Sequence, residues 1–172
     1  QSRGRLPVPV TLSVAKQMCR ALEVAHDEGV IHRDIKPQNM VVQADGVLKV
    51  MDFGIARLAK RKSGVTQAGM VVGTPEYMAP EQLMGDEIDA RADIYAVGCV
   101  LYECLTGKTP ITADSVITLI AKVLEEVPIE PRVVNPEVPE VLNQLVMACL
   151  AKTADGRPQS ALKLHDRLEA IG

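Results

Sequence analysis

The residues best suited to do chemistry lie between positions 31 and 52. His32-Arg33-Asp34 is followed by Lys36 and, five positions after the aspartate, by Asn39. A carboxylate, an ammonium and an amide therefore sit within reach of one point. A solvated polar loop would carry the same residue types. A second group changes the weighing: Asp52-Phe53-Gly54 directly follows a pair of short β-branched runs, MVVQ and VLKVM, split by Asp45-Gly46. An Asp-Gly pair between such runs reads as a hairpin, and an antiparallel return brings Asp52 back beside Asn39. An aspartate and an asparagine converging there offer hard oxygen ligands, the donor set that Mg²⁺ takes.

The chain that must position these groups has 172 residues, enough for one domain of ordinary size. Hydrophobic residues make up 47% and charged residues 24%, which excludes a disordered tail. The net charge of −3 offers no basic field for nucleic acid. No apolar run reaches membrane-spanning length, so no membrane contact is expected within the chain, and the first residues lack a signal-peptide core. Cys19, Cys99, Cys104 and Cys149 are scattered in apolar stretches with no CxxC pair, and read as reduced core residues. The first residue is Gln rather than Met, which suggests a chain cut from something longer.

Apolar spacing predicts a helix over residues 10–27, stopped by Gly29, then a loop at 31–39 and the hairpin at 40–51. Residues 52–81 lack any period and are rich in Gly and Pro, and loops this long inside compact domains are usually functional. Helical spacing returns over 90–106, apolar nearly all round and so read as a central buried helix. Further helices are expected at 113–126, 138–150 and 158–170, the last with Pro158 in its first turn and a Pro-rich loop between the first two. The fold class is mainly α (α+β), a helical bundle around a buried helix with one small hairpin.

HRDIKPQN, MDFGIA and GTPEYMAPEQ occur here in that order. They resemble the catalytic loop, metal-binding motif and activation-segment end of a protein kinase. DARADIYAVGCVLYECLTGKTP is similar to the central helix of the kinase C-terminal lobe, and DGRPQSA to the segment whose arginine pairs with the APE glutamate. The resemblance covers essentially the whole of 1–172 and is to the bacterial Ser/Thr kinases of eukaryotic-like type.

It implies that Asp34 accepts or orients the proton of the substrate hydroxyl and that Lys36 neutralises the transferring γ-phosphoryl group. It implies that Asn39 and Asp52 hold Mg²⁺, with Mn²⁺ as an alternative, bridging the phosphates of ATP. Val41 would form the floor under adenine, or be an ordinary core valine. Lys36 and Thr74 favour a Ser/Thr acceptor on a protein substrate. His32 and Phe53 are expected to stack in the core, Asp93 to accept backbone hydrogen bonds from the catalytic loop, and Glu81 to pair with Arg157. Arg33 implies loop ordering by phosphorylation, at Thr66 first and Ser63 second. Ala68 stands where relatives often have a second threonine.

There is no GxGxxG loop, strand lysine of the VAIK type or partner glutamate in the 172 residues. The expected reading is therefore a C-terminal lobe lacking its N-terminal lobe, which would lie upstream, and nearly inactive alone. Ala92, Ala96 and Ile111 depart from the family pattern. The expected setting is cytoplasmic, with a membrane span outside the chain left open. The competing reading is an inactive stand-alone lobe or pseudokinase-like scaffold that binds proteins. The joint presence of Asp34, Lys36, Asn39 and Asp52 favours the enzyme.

Overall fold

A computed structural model describes residues 4–52 and 74–171. Its first helix, α1 (Val8–Asp27), buries Leu12, Ala15, Met18, Cys19 and Leu22, the stripe that gave it away in the sequence. It starts two residues earlier than the periodicity indicates. Pro7 and Pro9 preset the entry, and the Thr11 N–H closes the first turn on the Pro7 carbonyl at 3.0 Å. Its end is a Schellman motif: Val30 N–H donates to Ala25 O at 2.8 Å and Gly29 N–H to His26 O at 2.9 Å, with Gly29 at φ 71°. That reversal aims the chain from α1 into the polar loop.

A 3₁₀ turn (Pro37–Asn39) leads into β1 (Met40–Val42), which pairs antiparallel with β2 (Leu48–Val50) in the register Met40↔Val50. The hairpin is pinned to α1 by one side chain. Gln17 Oε1 accepts Leu48 N–H at 2.8 Å, and its Nε2 donates to Gly46 O at 3.2 Å.

After a second 3₁₀ turn (Pro75–Tyr77) come α2 (Pro80–Met84) and the central helix α3 (Arg91–Thr106). Then follow α4 (Val116–Glu125), α5 (Pro131–Val134), α6 (Glu140–Cys149), a 3₁₀ turn (Ala154–Gly156) and α7 (Ala161–Glu169). α3 is buried on nearly every face, from Ala92 to Thr106. α6 crosses it closely at Gly98, where a Cβ would stand 2.7 Å from that of Cys149. α7 closes the bundle against α1 through Arg20 Nε donating to His165 Nε2 at 3.1 Å and Lys16 meeting Glu169 at 3.3 Å.

Several element ends differ from the sequence expectation. α2 lies at the end of the segment read as structureless, and α5 lies inside the Pro-rich connector. α4 and α7 start at serine caps rather than at the first apolar residue. Ser115 accepts Thr118 N–H, and Ser160 accepts Lys163 N–H, each at 3.1 Å. Pro158 therefore precedes the cap of α7 instead of filling its first turn. α6 begins after Pro139, which leaves Val138 buried in the connector. Cys19, Cys99 and Cys149 are buried and all four cysteines are free thiols. No helix among the described residues is long and apolar enough to cross a membrane.

Candidate active site

The hairpin brings its two flanking segments together. Beyond the last strand pair, Met51 N–H donates to Asn39 O at 2.8 Å, and Asp52 is the next residue, exposed and at φ 56°. Asn39 is 7% exposed and is held by its amide nitrogen, which donates to the Asp34 carbonyl at 2.8 Å and to Asp34 Oδ2 at 3.0 Å. Using Nδ2 this way leaves Oδ1 as the ligand-type atom of Asn39. Lys36 Nζ reaches Asp34 Oδ2 at 2.9 Å and donates to Thr74 Oγ1 at 3.1 Å. Asp34, Lys36, Asn39 and Thr74 thus form one connected cluster, with Asp52 entering from the far end of the hairpin.

His32 ties these two ends. Its Nδ1 accepts Asp34 N–H at 3.2 Å and its Nε2 donates to Met51 O at 3.0 Å, a pattern that assigns the neutral Nε2–H tautomer. The ring is fully buried and is a hydrogen-bonding bridge from the Asp34 backbone to the residue before Asp52. Its expected stacking partner, Phe53, lies outside the described residues, as do Ser63 and Thr66.

The polar loop is anchored from beneath by Asp93 of α3, 1% exposed. Its Oδ2 accepts His32 N–H at 2.8 Å and its Oδ1 accepts Arg33 N–H at 2.8 Å. His26, in the last turn of α1, sits with Nε2 2.8 Å from Asp93 Oδ2. A carboxylate taken out of water needs such donors. Arg33 itself is at φ 66°, a left-handed backbone that non-glycine residues rarely adopt and that surrounding bonds must hold. Its carbonyl accepts Gln82 Nε2–H at 3.1 Å. The Arg33 side chain lines an open cleft with Gly85, Asp86, Glu87 and Ile88, so an anion arriving there meets two carboxylates as well as the guanidinium.

Arg157 and Glu81 form a bidentate pair, Nη1–Oε1 at 2.6 Å and Nη2–Oε2 at 2.9 Å. The remaining guanidinium hydrogens go to the Ala151, Arg91 and Lys152 carbonyls, so all five donors are used. The cation also lies over the Tyr95 ring, 5.1 Å from its centroid. Burial pushes the Tyr95 phenol well above its ordinary pKa. Tyr77 donates its hydroxyl hydrogen to Glu103 of α3, fixing the turn that carries Thr74 to the central helix.

Val41 is 44% exposed, which sets aside the alternative of an ordinary core valine: it lies opposite Lys49, on the hairpin face turned from the core. His26 and Gln82 escaped the sequence reading. The signals were slight: a histidine at a helix C-terminus, and a glutamine three residues into α2.

A protein kinase domain model matches residues 2–167. The chain belongs to the protein kinase family. It is 43% identical over 171 residues to serine/threonine-protein kinase PknB of Mycobacterium tuberculosis, covering 99% of this chain and 27% of that protein. It is 40% identical over 162 residues to PknB of Mycobacterium leprae, covering 94% of this chain and 26% of that one. PknB of Mycolicibacterium smegmatis is 42% identical over 155 residues. The chain spans about a quarter of the length of the curated relatives it matches. Kinase chemistry uses ATP and a divalent cation in general, and the described residues, largely helical with a single two-stranded sheet, are consistent with a kinase-like helical lobe.

Proposed function

We propose that the protein to which this chain belongs transfers the γ-phosphoryl group of ATP to serine or threonine of a protein substrate. The observation that carries this is the single cluster of Asp34, Lys36, Asn39 and Thr74, with Asp52 returned to it by the hairpin. Phosphoryl transfer asks for positioning and charge neutralisation rather than covalent chemistry by the protein. A carboxylate, an ammonium and two oxygen donors meet that demand.

Asp34 is read as the group that accepts or orients the hydroxyl proton of the substrate. Its Oδ2 is already aimed by Asn39 and Lys36, so it approaches a substrate without searching rotamers. Lys36 is read as the cation beside the transferring group, and its bond to Thr74 helps to hold that ammonium next to the Asp34 carboxylate. The divalent cation fits the donors present: Asn39 keeps Oδ1 available and Asp52 is exposed, both hard oxygens, and Mg²⁺ takes one or two carboxylates with phosphate oxygens. Mg²⁺ is the preferred ion, Mn²⁺ the alternative; held by Asn39 and Asp52, it would supply positive charge against the ATP phosphates. Val41, apolar and exposed on β1, is the candidate adenine contact.

The proposed partners are ATP, a Ser/Thr-bearing protein, and an N-terminal lobe from elsewhere in the full protein. The proposed setting is the cytoplasmic side, and Thr66, then Ser63, are the proposed phosphoacceptors that would pair with Arg33. The test is phosphate transfer from labelled ATP by the full-length protein, beside Asp34→Asn and Asp52→Ala. Transfer lost in both variants, with unchanged circular dichroism, supports the reading. Wild-type-like turnover in either variant defeats it, and no transfer by the native protein favours the scaffold.

A further inference from the structure

Arg33 precedes the candidate base and holds a backbone conformation that costs energy, of the order of 1–3 kcal/mol for a non-glycine residue. Its N–H is held by Asp93 of the central helix. Its C=O is held from the opposite direction by Gln82, which belongs to α2 at the end of the segment carrying Thr74. The other end of the same amide is occupied as well, since Gln82 Oε1 accepts Ala79 N–H at 3.0 Å. Gln82 is therefore a two-ended strut between the start of α2 and the peptide that leads into Asp34.

We propose that Gln82 is a positioning residue for phosphoryl transfer, coupling the segment 74–79 to the left-handed Arg33 peptide so that Asp34 is aimed only when that segment is docked. This rests on the kinase reading of the cluster. Three observations converge: the strained φ at Arg33, the donor from Gln82 to its carbonyl, and the Lys36–Thr74 bond that links the same two segments, three residues after Arg33 and eight before Gln82. Asp93 fixes the loop to the core whatever the substrate segment does. Gln82 and Lys36 report whether that segment is in place.

The two ends of the amide can be separated by an isosteric change. Gln82→Glu keeps an oxygen for Ala79 N–H and adds an acid in the first turn of α2, which favours the helix. It replaces the donor to Arg33 O with an oxygen that repels it. Gln82→Met removes both bonds at similar volume. In the full-length protein, Gln82→Glu is expected to lower kcat about tenfold with KM for ATP within about twofold, the signature of a lost transition-state interaction. The melting temperature should stay at the wild-type value. Gln82→Met should lower kcat to the same extent and the melting temperature as well.

An unchanged kcat in Gln82→Glu overturns the proposal, as does a loss confined to Gln82→Met, which would make Gln82 a helix cap only. A fall in kcat that tracks the melting temperature across both variants also overturns it. Absence of transfer in the wild type instead defeats the underlying kinase reading.

Discussion

Asp93 Oδ1 accepts the backbone N–H of Arg33 at 2.8 Å across sixty positions of sequence. The central helix thereby sets the conformation of the loop that bears Asp34, and burial makes the bond hard to replace: Asp93 is 1% exposed and takes three donors. Asp93→Asn turns an N–H toward one of those donors and removes the charge. The expected result is destabilisation by about 1.5–3 kcal/mol and at least a tenfold drop in transfer. Chemical denaturation and steady-state kinetics of the full-length protein check both.

His26 supplies the third donor to that carboxylate. His26→Gln can present an amide N–H where the ring nitrogen stood, whereas His26→Leu cannot. Kinetics should show the leucine variant impaired and the glutamine variant largely rescued. Equal impairment would mean that the ring's packing at the end of α1, not its hydrogen bond, is what matters.

Arg157 is the more demanding half of its pair with Glu81. Its side chain is fully enclosed and spends all five donors, while Glu81 keeps 16% of its side chain exposed. Glu81→Gln weakens a bidentate contact, and Arg157→Met also orphans three carbonyls. Losses on the order of 3–5 kcal/mol are expected for Arg157→Met, and smaller ones for Glu81→Gln, because water still reaches the glutamate side. Urea midpoints rank the two.

How much of this was legible follows the distance along the chain. Asp34, Lys36 and Asn39 stand within six residues, and Asp52 is reached through a hairpin whose Asp45-Gly46 turn is written in plain sequence. The bonds His26–Asp93 and Gln82–Arg33 join elements 67 and 49 positions apart, and no periodicity encodes them. Capping rather than apolar spacing sets two helix starts: Ser115 and Ser160 begin α4 and α7 downstream of Ala113 and Pro158, where the spacing places them. The outward face of Val41 was hidden because β1 reads Met-Val-Val, apolar on both sides of the strand.

Lys36 bridges Asp34 and Thr74 with one compact ammonium. Lys36→Met should reduce kcat by about 10²–10³, the usual loss for one preorganised charge-stabilising group. Lys36→Arg should not restore it, since a planar fork does not fit between a single carboxylate oxygen and a hydroxyl at 2.9 and 3.1 Å. Recovery of most activity by arginine would show that charge alone is required.

Burial pushes the thiols of Cys19, Cys99 and Cys149 well above their ordinary pKa, that of Cys149 to about 12, and raises the partly exposed Cys104 to about 11. In the unfolded chain the same thiols ionise near pH 8.5, at about their unperturbed value. Below that pH both states keep the proton and stability is undiminished. Above it the unfolded state binds fewer protons than the native one, so stability falls as pH rises toward the native values. Melting temperatures of the full-length protein should therefore decline between about pH 8.5 and 11, more shallowly in Cys149→Ala than in wild type. Alkylation mapped by peptide mass should label Cys104 first and the other three only on unfolding; equal labelling of all four in the native protein would contradict the burial that raises them.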